Sequence, residues 1–190
     1  MPSNAFTTHL TQLLRDADEL DDAHALLSVA VPPPQHKLDA VNRAVVVMSV
    51  SAWETYVEEL VVEAVLAMRP AASPLGSWSV HYASVLGQAR RFHTPNPDHV
   101  KALLSDAVGL ADVHPAWTWP GYTRVQAVQA LWRALDLRHK IAHGINPRPV
   151  VAHQYSSQLP DFFRRLGQTT DQAVRDHLVK ALGVVNLWPP

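Results

Sequence analysis

A chain of 190 residues with 47% apolar residues, 17% charged residues and a formal charge of −1 carries enough apolar material for a sizeable core, and too much for a disordered chain. It contains no cysteine, which excludes disulfides, thiolate nucleophiles and thiolate zinc sites, and its near-neutral total argues against a general nucleic-acid coat. The start after Met1 lacks a basic n-region and an apolar h-region, and the longest apolar run, Ala44 to Met48, is too short for a bilayer, so the expectation is a soluble, cytoplasmic protein without a membrane segment.

The elements follow in chain order. Phe6, Leu10, Leu13, Leu14, Ala17, Leu20 and Leu27 recur near a 3.6-residue period and predict a helix over 5–29, with Asn4 as its cap and its acids on a solvated face. Val31-Pro32-Pro33-Pro34-Gln35 predicts a stiff connector. Residues 37–69 predict the longest helix, along the ladder Leu38, Val41, Val45, Met48, Ala52, Tyr56, Leu60, Ala64 and Met68. Its first half is apolar all round, so it is expected to be central; Glu54, Glu58, Glu59 and Glu63 turn one side of its second half to water, and Pro70 ends it.

A loop over 70–78 and a helix at about 79–92 are expected next, the latter closing on Arg90-Arg91. Thr94-Pro95-Asn96-Pro97-Asp98 reads as a turn and cap for a helix over 98–109, with Val100, Leu103, Leu104, Ala107 and Val108 inward and Gly109 closing it. Trp117 and Trp119 fall in a proline-bounded loop, where they either plug the end of a bundle or stack on a base or sugar. A helix over 122–143 follows, with Val125, Val128, Leu131, Trp132, Leu135 and Ile141 as its core stripe. A short helix at 160–166 and a last one at 170–183, with Ala173, Val174, Leu178, Ala181 and Leu182 inward, precede a tail, Leu187-Trp188-Pro189-Pro190, that docks or frays. No strand alternation, glycine-rich phosphate loop or internal repeat is evident, and the fold expected is all-α, a single helical bundle over residues 1–190.

One stretch stands out chemically. Leu137-Arg138-His139-Lys140-Ile141-Ala142-His143-Gly144 ends the 122–143 helix with two histidines, an arginine and a lysine and no carboxylate. Charge elsewhere sharpens the contrast: residues 1–29 hold one base against five acids, residues 122–153 five bases against one acid. At about 100° per residue, His139 and His143 share a face, while Arg138 and His143 lie about 140° apart and converge only if the helix opens at Gly144.

Three readings fit these residues. His-x3-His on one face is a metal-binding spacing, but the glutamate that zincins place after the first histidine is here Lys140, and the neighbouring cations repel a dication. Metal-free phosphodiester chemistry on RNA needs histidines for proton transfer and an arginine fork for the phosphorane, and a two-fold dimer supplies a second copy of each. A helix end dressed with cations for its dipole, with Asp136 and Lys140 paired at i, i+4, needs no function at all.

Arg138-His139-Lys140-Ile141-Ala142-His143-Gly144 resembles the Arg-x4-His signature of the HEPN superfamily. Ala52-Trp53-Glu54-Thr55-Tyr56-Val57-Glu58 resembles the long second helix of its RiboL-PSP-HEPN type, and Phe92-His93-Thr94-Pro95-Asn96-Pro97 through Trp117-Thr118-Trp119 resembles the segment before the motif helix. The resemblance implies a bundle that dimerises with its motif helices facing each other. It implies a metal-independent endoribonuclease of toxin–antitoxin, phage-defence or RNA-processing systems. Arg138 and His143 would be its catalytic pair, with His139 and Lys140 on phosphate and Glu54 positioning the motif from the neighbouring helix. The cofactor expected is none, no metal is expected, and the partners are a second copy, an RNA substrate and an antitoxin or regulatory protein. The alternative within the same superfamily is a non-catalytic module that binds a nucleotide or a partner protein.

Overall fold

The computed structural model describes residues 1–69, 76–145 and 147–188, and among them it is all-α. A π-helical turn (Ala5–Leu10) runs into α1 (Thr11–Ser28); α2 (Gln35–Ala67), α3 (Gly76–Ala89), α4 (Pro97–Val108) and α5 (Arg124–Ala142) follow, then a short α6 (His153–Ser156) and α7 (Leu159–Leu182). Among the described residues no helix is long and apolar enough to cross a membrane.

The central position expected for the long helix is what the structure has. α2 packs against each of the other six helices, and its ladder residues Leu38, Val45, Ala52, Tyr56, Leu60 and Ala64 are buried. Trp53 and Tyr56 sit at the middle of the core, and Phe163 of α7 and Trp117 lie 6.0 and 6.3 Å from the Trp53 ring. Burying two indoles and a phenol requires partners for their polar atoms. Trp53 Nε1 donates to the Pro95 carbonyl (3.0 Å), Trp117 Nε1 to Thr170 Oγ1 (2.9 Å) and the Tyr56 hydroxyl to the Gly167 carbonyl (2.9 Å). Trp117 therefore plugs the core.

Several expectations are corrected. Asn4 makes no side-chain cap; the hydroxyl of buried Ser3, held by Asp171 of α7, accepts from Phe6 N–H, and Glu63 of α2 accepts from the Asn4 and Ala5 amides. The acids of α1 are not all solvated: Asp18 pairs with Arg164 and Asp21 with His153. α3 begins at Gly76, inside the loop expected over 70–78; residues 70–75, including Pro70, lie outside the described residues. Val125 (56% exposed) and Trp132 (43%) are not in the core; Ala127, Leu131, Ala134 and Leu135 are the residues α5 buries. Ala181 and Leu182 are likewise exposed.

The two short helices expected after residue 160 are one. α7 runs through Gly167, where the first helical segment presses so closely that an added Cβ would stand 2.2 Å from Leu10 Cδ2. Glycine is there for the approach, not as a break. At the tail Trp188 is buried, so the chain docks at that point; Pro189 and Pro190 lie outside the described residues.

Candidate active site

α5 is well defined at both ends. Thr123 caps it through a reciprocal pair with Gln126: Thr123 Oγ1 accepts from Gln126 N–H, and the Gln126 side chain accepts from Thr123 N–H at 2.9 Å. At the other end His143 is the terminal cap residue, with φ −86° and ψ 4°, and its own N–H still donates to His139 O at 3.0 Å. Gly144 follows at φ +60°; its N–H donates to Ile141 O and Ile145 N–H to Lys140 O, both at 3.3 Å. This is the Schellman closure, in which a left-handed residue lets the chain turn back on the last carbonyls. It fixes His143 at the point where the helix ends and leaves its ring exposed.

Arg138 lies one and a half turns earlier and faces α2. Its Nη2 is 4.0 Å from Glu54 Oε2, an ion pair between two half-buried side chains. Its Nε is fully buried and has no hydrogen-bond partner among the described residues. Glu54, Arg138 and His139 line a cleft of about 50 Å³ together with Val50, Leu135, His93, Thr94 and Pro95. The His139 ring in turn packs on that of His143, with 4.3 Å between centroids and a 50° tilt. His139 thus stands between the arginine and the terminal histidine, and no hydrogen bond joins Arg138 to His143 directly among the described residues. Lys140 is exposed and taken up by Asp136 at 2.6 Å.

Burial pushes the Glu54 carboxyl above the ordinary glutamate range, against the pull of Arg138 and His93. Glu58, one turn along α2, is raised too, by burial and then by the Glu54 charge. Glu54 and His93 share the cleft with Arg138. The arrangement holds a guanidinium in place by charge while leaving two imidazoles and the rest of the fork open to a phosphate. No group of three or more histidines and carboxylates able to hold a metal ion is present among the described residues.

The family model described as RiboL-PSP-HEPN matches residues 11–176. The chain belongs to that family. No curated protein matches it, and no solved structure does. As a HEPN domain it is, at the coarse level, of a nuclease-like or nucleotide-binding kind.

Within this HEPN domain the residues singled out in the sequence fall into two groups. Glu54, Arg138, His139 and His143 form one run of contacts across α2 and α5; Lys140 stands outside it, on its surface pair with Asp136. His93, Thr94 and Pro95 were not among the candidates, yet they wall the cleft. Their placement depends on the Trp53 indole gripping the Pro95 carbonyl across 42 positions of sequence, which no local pattern announces.

Proposed function

We propose that this HEPN domain is a metal-independent endoribonuclease that acts as a homodimer, in a toxin–antitoxin or phage-defence setting. The observation that carries the reading is Arg138, tethered by Glu54 at the base of a cleft, with His143 exposed at the helix end one histidine ring away. In RNA the 2′-oxygen attacks the adjacent phosphorus and the 5′-oxygen leaves. A neutral His143 takes the 2′-hydroxyl proton, a protonated His143 from the second copy gives one to the departing oxygen, and Arg138 from each side meets the charge that builds on the phosphorane. The products are a cyclic phosphate and a 5′-hydroxyl end.

The surface of α5 supports the dimer. Val125, Trp132 and His139 recur at seven-residue spacing, so they lie above one another on a single stripe, and all three are exposed. Covering the two apolar members with the same stripe of a second copy, the two helices running side by side in the same direction, would bring both His139–His143 pairs to one axis.

The test is RNA cleavage by Arg138→Ala and His143→Ala proteins, with oligomeric state measured by sedimentation. Both variants are expected to remain folded dimers and to lose cleavage, and the wild type is expected to be indifferent to EDTA. Cleavage that persists in both variants overturns the reading. A wild-type dimer that cleaves no RNA but binds a nucleotide or a partner protein places the domain among non-catalytic HEPN modules instead.

A further inference from the structure

Of the two loop tryptophans, Trp117 is consumed by the core, and Trp119 is not. Trp119-Pro120-Gly121-Tyr122 is a tight turn: Tyr122 N–H donates to Trp119 O at 2.8 Å, Trp119 N–H to Tyr122 O at 3.1 Å, and Gly121 takes φ +93°. A proline at the second position and a left-handed glycine at the third make the type II turn, which sets its first and last residues side by side. The two rings accordingly stack, 5.0 Å apart at 25°, and both rest on Phe162 of α7 at 5.9 and 5.6 Å. The result is a rigid, half-exposed aromatic shelf.

Open space flanks the shelf on both sides. One cleft of about 420 Å³ is lined by Trp119, Tyr122, Phe162, Gln158 and Arg165, among others. A second, of about 330 Å³, is lined by Tyr122, Gln126, Gln129 and Arg133. Both volumes fall in the range of small-ligand sites. Each cleft combines an aromatic face and a guanidinium with a glutamine amide that can both donate and accept, Gln158 in the larger and Gln129 in the smaller, and the one acid at the larger cleft, Asp161, is bound to Arg164 at 2.9 Å. Close by, the buried Tyr155 hydroxyl has no hydrogen-bond partner among the described residues, and the charge of Arg133 reaches it.

We infer that the Trp119–Tyr122 shelf, with Arg165 and Arg133 beside it, is a second binding site that takes an unpaired base and its phosphates from a single-stranded RNA. It rests on the reading that RNA is the substrate and adds to it where the strand is gripped. Bases stack on aromatic side chains without regard to sequence, and the flanking guanidinium neutralises the backbone. Tyr122 lies just before the N-terminal end of α5 and Arg138 near its C-terminal end, about 24 Å apart at 1.5 Å per residue. The face that carries Gln126 and Arg133 continues to Lys140, which its pair with Asp136 holds beside the motif, so a strand held at the shelf approaches the motif along a polar face. The site would favour unpaired substrates, because a duplex keeps its bases stacked and out of reach.

The experiment is anisotropy titration of the full chain with a fluorescent single-stranded RNA of about a dozen nucleotides and with its duplex, over several salt concentrations. His143→Ala serves as background, so that binding is read without cleavage. Trp119→Leu is expected to weaken single-strand binding by about tenfold or more. Should that variant fold poorly by circular dichroism, the surface double variant Arg133→Gln/Arg165→Gln carries the test: its log K against log salt slope should fall by about 0.7 for each phosphate that the arginines no longer neutralise. The single strand should bind more tightly than the duplex. Unchanged affinity and slope in the shelf variants overturn the inference, as does a duplex bound as tightly as the single strand. The proposed function is judged separately, by cleavage in Arg138→Ala and His143→Ala: the shelf can fail while cleavage stands.

Discussion

Glu54 and Arg138 face each other across the α2–α5 interface, 4.0 Å apart, with the arginine's inner nitrogen fully buried and unpaired among the described residues. Among those residues the charge pair is the only polar contact holding the arginine, so its orientation depends on the carboxylate being ionised. Burial works against that ionisation, and Glu54 accepts a proton at higher pH than an ordinary glutamate.

The sign of the resulting pH dependence is fixed. A carboxyl whose folded-state pKa is raised favours folding below its unfolded value of about 4.3, and that contribution is lost as pH rises through the raised value. Glu54→Gln is therefore expected to gain stability relative to the wild type between about pH 4.5 and pH 7.5, while cleavage at pH 7.5 falls about 10- to 100-fold because Arg138 loses its anchor. Paired urea denaturations at the two pH values and one cleavage assay decide it. A variant that loses ground against the wild type as pH rises contradicts the assignment.

Arg138→Lys separates charge from shape. Lysine keeps the positive charge near Glu54 but has no planar fork to span two phosphate oxygens. Single-turnover cleavage is expected to drop about 10²- to 10³-fold, the loss seen when one transition-state donor is removed, with little change in KM. A lysine variant within threefold of the wild type would mean that Arg138 acts only as a point charge.

The sequence made the helices and the motif legible because both are local. The α2 ladder, the Asn96 cap of α4, which accepts from His99 N–H, and the Gly109 and Gly144 closures all depend on neighbours within a few residues. What it hid was the partner of each face. Val125 and Trp132 obey the apolar rule that places residues inward, yet they are exposed, and small alanines at 127 and 134 take the core positions. Glu54 and Arg138 each stand out in the sequence, but the ion pair between them spans 84 positions. The third wall of the cleft depends on Trp53 and Pro95, where the signal is a single buried indole needing an acceptor.

Gly167 illustrates the same limit and gives a test with a built-in control. An added Cβ there would meet Leu10 Cδ2 at 2.2 Å, so Gly167→Ala must displace the first helical segment from α7 and should cost ~1–3 kcal/mol. At Gly87 in α3 the nearest atom to an added Cβ is Arg91 Nη2 at 3.5 Å, an ordinary contact at the end of a flexible side chain. Gly87→Ala should instead stabilise by ~0.5–1 kcal/mol, the backbone entropy of helical glycine. Urea denaturation of the two variants should give opposite signs. Equal effects would show that the crowding at Gly167 is not what the helix crossing depends on.

The last prediction concerns how the chain returns after the motif. His153, on α6, stacks on His24 of α1 with 3.8 Å between ring centroids and 4° between planes, and its Nε2 lies 2.8 Å from Asp21 Oδ1. Next along α1, Asp18 pairs with Arg164 of α7. In this stack His24 is the ring that resists protonation. Its pKa is lowered, first by burial and then by the His153 charge, with Asp21 opposing. A histidine depressed in the folded state contributes stability that is present above its ordinary value near 6.5 and lost as pH falls through the lowered one. Thermal melts from pH 8 to pH 5 should show the wild type losing its margin over His24→Gln as the solution acidifies. Asp21→Ala should weaken the stack at every pH by removing the acceptor that fixes His153. A wild-type margin that stays constant across the range would mean that neither burial nor the His153 charge holds the His24 ring below its ordinary range.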